Sequence, residues 1–182
     1  MTREKEYFHI EIEEFQSLGK WAADCAERAL SIFESNVKED SRPRNAIIGI
    51  RKFSDSCKRT NRLRKLALDA YRASLDTKDT AASAAAQSAS LAAASAFIHP
   101  FKDINQSKHI LGPAVYAAIA IEQYNLSDLQ IGDSEIDLAI NNANQEIAEL
   151  LNKMPAQEVG TRRIDQLFYK LDNGIRNRYK KG

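Results

Sequence analysis

The apolar positions of the chain recur in helical stripes. From about Phe15 to Glu34, Leu18, Trp21, Ala22, Cys25, Ala29, Ile32 and Phe33 follow 3.6 spacing, with Lys20, Asp24, Glu27 and Arg28 largely off that stripe, so an amphipathic helix is expected. Before it, Phe8, Ile10 and Ile12 alternate with His9, Glu11 and Glu13; a short strand fits this pattern, but a lead-in to the first helix is the preferred reading. The stripe stops between Asn36 and Asp40. Arg42-Pro43 then opens a second helix, since proline is accommodated in a first turn, with Ala46, Ile47, Ile50, Phe53 and Cys57 inward. After a polar break at Lys58 to Asn61, Leu63, Leu66, Ala67, Ala70 and Tyr71 mark a third helix ending near Leu75.

Thr80 to Ile98 has nineteen residues, ten of them Ala and four Ser, and no charge. Alanine has the highest helix propensity and nothing breaks the run before Pro100, so this is a helix, capped by Asp79 or Thr80. Ala82, Ala85, Ala86, Ala89, Ala92, Ala93 and Ala96 share a face smooth enough for a partner helix to approach almost to backbone contact. That partner is expected to be the helix from Pro113 to Tyr124, with Ala114, Ala117, Ala118 and Ile121; Pro100 to His109 reads as a loop or a single loose turn. Ser134 with Asp137 resembles a capping arrangement for a helix running to Lys153 through Ile136, Ile140, Ala143, Ile147 and Leu150. The last helix spans about Thr161 to Tyr179, with Ile164, Leu167, Phe168, Leu171 and Ile175 on one face. The expectation is an all-α, single-domain bundle of six or seven helices over residues 1–182, the Ala/Ser-rich helix central and only a few terminal residues loose.

Composition supports that class. With 43% hydrophobic and 28% charged residues in 182, the chain is long enough for one core, and its seven Gly, four Pro and 8% aromatics leave little material for sheet. Cys25 and Cys57 lack CxxC or Cys/His spacing and fall on apolar stripes, as buried free thiols do. The charged opening, MTREKEYFHIEIEEF, has no apolar segment of the kind a leader or anchor needs, so a cytoplasmic protein is expected. The Thr80 to Ile98 run reaches the length of a membrane span, but Ala and Ser are weak lipid formers, and no membrane association is expected.

The net charge of +1 conceals an uneven distribution. Arg42 to Lys65 holds nine Lys or Arg and one acid, Asp55; Arg44, Arg51, Lys58, Arg62 and Lys65 lie at roughly helical spacing. A phosphate-tracking surface is one reading, which would make this a helical nucleic-acid-associated or regulatory protein. A solvated helix face is the preferred reading, because no aromatic is interleaved on that side and no recognition motif is evident. Between His109 and Asn152 stand seven acids and no Lys or Arg. Asp128, Asp133, Glu135, Asp137 and Glu146 are the candidate partner-binding residues, with ordinary charge pairing inside the fold as the equal alternative. For catalysis the raw material is thin. His9, His99 and His109 are in no ligand spacing; His99, Asp103 and His109 could converge as metal ligands of a hydrolase, but helix-end polarity is preferred. No catalytic residue, metal or cofactor is assigned.

Four blocks carry a resemblance: WAADCAERALSIFE from Trp21 to Glu34, DSRPRNAI from Asp40 to Ile47, the Ala-rich helix to Ala96, and HILGPAVYAAIAIE from His109 to Glu122. Over about Leu18 to Glu122 the chain resembles a family of immunity proteins from bacterial polymorphic toxin systems, the fifth such family. The DxRPR block, Asp40, Arg42, Pro43 and Arg44, is the most specific; Trp21, Glu34 and His109 complete the family motif. In the family pattern the Ala helix carries a Gly-His pair and another His, where this chain has Ser90, Leu91 and Phe97, and Pro100 to Lys108 looks like an insertion. The resemblance implies an all-helical, non-catalytic protein that binds a cognate toxin. The oligomeric state is left open, a homo-oligomer included. Beside it stands a physical reading of DxRPR as a structural corner, with Pro43 setting the first turn and Arg44 or Arg42 reaching Glu34. Trp21 reads as a core anchor.

Overall fold

The computed structural model describes residues 6–180; the charged start at residues 1–5 and the expectation of loose chain ends fall outside the described residues. Within them are eight α-helices and one single-turn 3-10 helix: α1 Ile12–Asn36, α2 Arg42–Ser56, α3 Asn61–Asp76, α4 Thr80–Ala94 continued by the 3-10 turn Ser95–Phe97, α5 Ile104–Tyr124, α6 Leu129–Asn142, α7 Gln145–Asn152 and α8 Arg163–Arg178. This is an all-α architecture with one or two helices more than the periodicity predicts. The lead-in Tyr7 forms an isolated antiparallel bridge with Phe101.

The Ala/Ser helix is the centre. α4 packs against α1, α2, α3 and α5, most extensively against α5 and α3. All seven alanines of its predicted smooth face are buried. Small side chains let four neighbours approach one helix, and serines then tie it down. Ser88 donates to the Pro113 carbonyl at 2.6 Å and Ser90 to the Ala67 carbonyl at 2.8 Å, both buried, so each hydroxyl satisfies an oxygen on the facing helix. Asp79 caps α4 by accepting from the Ala82 N–H at 2.7 Å.

Two boundaries differ from the sequence expectation. α5 starts at Ile104, capped by Asp103, so Pro100 to Lys108 is mostly helix and Pro113 lies inside it instead of opening it. The buried contacts of Ile110 and Leu111 sustain the helix across a residue that lacks an N–H. The predicted helix to Lys153 is two helices. Asp128 caps α6, while Asn144 caps α7 by accepting from the Ile147 N–H; Ser134 instead donates to the Gln130 carbonyl. Trp21 is buried on α1 and donates from Nε1 to the Ala139 carbonyl at 3.0 Å, joining the first helix to the sixth. Cys25 is a buried free thiol, raised well above its ordinary pKa by burial and then by Asp24. Cys57, expected to be buried too, is only partly so, because it ends α2 in a left-handed turn. No helix among the described residues is long and apolar enough to cross a membrane.

Candidate partner-binding surfaces

The DxRPR block builds a corner between α1, α2 and α3. Asp40 accepts from the Arg42 backbone N–H, and the Arg42 guanidinium forks onto the Asp40 carboxylate at 2.9 and 2.6 Å while lying 2.8 Å from Asp76 at the end of α3. Pro43 is buried in the first turn. Arg44 forks onto Glu34 at 2.5 and 2.7 Å, and Arg51 reaches Asp24 at 2.7 Å. Hydrogen bonds from Arg42 and Arg44 hold Asp40 and Glu34 below the usual carboxylate range. The ends of α1 and α3 are thereby tied to the start of α2, and the forks onto Glu34 and Asp40 are planar, bidentate contacts that lysine could not reproduce.

That corner takes up Arg42, Arg44 and Arg51, and other contacts take up three more of the nine early cations. Lys65 pairs with Asp69 at 2.5 Å, Arg59 donates to the Ala96 carbonyl and lies 4.3 Å from the Phe15 ring centre, and Arg64 covers Phe97 at 4.5 Å. Both aromatics come from other elements, so the sequence of the basic segment shows neither. Lys52, Lys58 and Arg62 are different: among the described residues none of the three has an acidic partner, and all three line one cleft between α2 and α3. Its volume is about 530 Å³.

Four of the seven acids in the later third are paired with cations of the chain itself. Glu122 is buried on α5 and takes both Arg163 Nε and Nη2, at 3.0 and 2.7 Å. Gly132 is what lets it lie there, since a Cβ at that position would stand 2.0 Å from the Glu122 Oε2. Arg163 also reaches Asp133 at 3.2 Å, Lys170 reaches Asp137 at 2.9 Å, and Arg28 forks onto Glu135 at 2.6 and 2.7 Å. Of the five candidate acids, Asp133, Glu135 and Asp137 are committed to cations of the chain itself. Asp128 is an exposed helix cap, and among the described residues Glu146 has no cationic partner. The pairing of Glu122 with Arg163 joins positions far apart in the chain, and only a glycine inside the α6 stripe hints at it.

A family model described as "Imm-5 like putative immunity protein" matches residues 9–157, most of the chain and every helix from α1 to α7. The chain belongs to the Imm-5 like family. No curated protein and no solved structure matches it. The matched span contains the DxRPR corner, the α2/α3 cleft and all five candidate acids, whereas α8, which supplies Arg163 and Lys170, follows it.

In this Imm-5 like protein the positions that differ from the family pattern are split between two places. Ser90 and Leu91 line a cavity of about 490 Å³ with Tyr71, Lys108, Tyr116 and the motif residue His109, whereas Phe97 lies beneath Arg64. His109 stands at the rim of that cavity, its pKa lowered first by partial desolvation and then by His99, with Asp103 opposing. His99 stacks on Phe101 with ring centres 5.7 Å apart, and Asp103 accepts from the Asn105 N–H as the α5 cap. Among the described residues no group of three His, Cys, Asp or Glu is placed to hold a metal ion.

Proposed function

We propose that this protein is an immunity protein that binds and neutralises a cognate toxin domain of a bacterial polymorphic toxin system, acting in the cytoplasm and without chemistry of its own. Membership of the Imm-5 like family over residues 9–157 carries the reading. The fold suits it: a rigid bundle whose central helix is fixed by close packing and buried serine hydrogen bonds presents its outer helices as a preformed surface, so little ordering cost is incurred on binding.

The test is co-expression with a candidate toxin domain taken from the gene's neighbourhood. Growth arrest by the toxin alone, relieved by this chain together with a stoichiometric complex on size exclusion, is the expected result. An arrest that persists with the chain well expressed and folded overturns the reading.

A further inference from the structure

The cleft between α2 and α3 carries three cations that, among the described residues, have no carboxylate partner. Its floor is apolar because Gly49 has no side chain: a Cβ there would stand 2.8 Å from a Leu66 methyl and 3.1 Å from a Leu63 methyl, so the α3 leucines lie directly against the α2 backbone. Ile48, 43% exposed, forms one wall. The mouth carries Lys52 in the last turns of α2, Lys58 in the connection and Arg62 in the first turn of α3. Asp55, the one acid of the segment, is not among the lining residues. Arg42, Arg44, Arg51 and Lys65, on the same two helices, all have carboxylates within the chain.

We infer that this cleft is a docking site for an acidic amphipathic segment of a partner protein, an apolar side chain on the floor and carboxylates at the three free cations. Charge complementarity selects that chemistry. An apolar depression of this size seats a side chain that a phosphate backbone does not offer, and Phe53, only 3% exposed, presents no face for a base to stack on. Identifying that partner as the toxin rests on the functional reading above; the cleft's preference for acidic peptide does not.

The experiment uses the full chain and a short synthetic peptide with Leu at helical spacing and Glu elsewhere, followed through amide resonances in a nitrogen-15 correlation spectrum. Saturable shifts confined to residues 48–66, weakened roughly tenfold or more by the triple substitution Lys52→Glu, Lys58→Glu, Arg62→Glu, are expected. The neutral triple change to Gln, checked by circular dichroism, gives an intermediate loss and guards against a folding defect. Absence of saturable shifts, equal binding of the same peptide with Lys for Glu, shifts centred elsewhere, or tighter binding of single-stranded oligothymidine at these resonances overturns the inference. Co-expression with the toxin separates the two readings. Failure of the wild-type chain to protect counts against the function and leaves the peptide result standing. Full protection by the triple variant keeps the function and removes the cleft as the toxin's docking place.

Discussion

The acidic region of α5 to α7 and the basic region of α2 and α3 look like mirror images in the sequence, and the fold treats them differently. In the first, Glu122, Asp133, Glu135 and Asp137 are tied to Arg163, Lys170 and Arg28, so the charge serves to fasten α8 and α1 onto α5 and α6. In the second, the residues at the helix ends are tied and those at the cleft are not. A run of like charge therefore has no single meaning. Charges paired across elements are part of the fold, and charges left free around an apolar depression are available to something else.

The difference is open to test, and the largest effect belongs to the buried pair. Arg163→Ala strands the Glu122 carboxylate, whose side chain is 7% exposed, and is expected to cost about 3 kcal/mol in urea unfolding. A loss no larger than that of an ordinary surface substitution would mean that the acidic region is not held together by its charges. Next, a double-mutant cycle on Arg28 and Glu135 should return a coupling of roughly 0.5–1 kcal/mol, the upper end for a bidentate pair with one partner still half in water. No coupling would mean that the contact contributes nothing to holding α1 on α6. The smallest stability effect is expected at the cleft. The charge reversal of Lys52, Lys58 and Arg62 should move the unfolding midpoint by the equivalent of no more than about 0.5 kcal/mol, because no carboxylate of the chain loses a partner. A larger drop would place those cations in the fold after all and erase the contrast.

Much of the fold was legible. Stripes at 3.6 spacing located α1, α2, α3 and α8 to within a few residues, since each buries one face against the bundle. The α6/α7 break was hidden because Ile136, Ile140, Ala143 and Ile147 keep helical spacing through it, and only the Asn144 cap marks the interruption. The start of α5 was hidden by Pro113, whose preference for first turns is statistical and was outweighed by buried neighbours. In the surfaces, a reach from Arg44 or Arg42 to Glu34 is legible because these residues sit at the ends of consecutive helices, and it is Arg44 that makes it. The cleft was not foreseen as a place. The sequence lists nine cations between Arg42 and Lys65, and deciding which of them are free requires knowing where Glu34, Asp24 and Asp76 end up.

By itself the sequence determined the helical class, the central position of the Ala/Ser-rich helix and the resemblance that the family match then made definite. Those follow from local propensity, periodicity and residue order, which are properties of neighbours along the chain. Which charges cancel and which remain was decided only by the tertiary structure. Ion pairing depends on distance in space, and the pairs that matter here join residues from different helices.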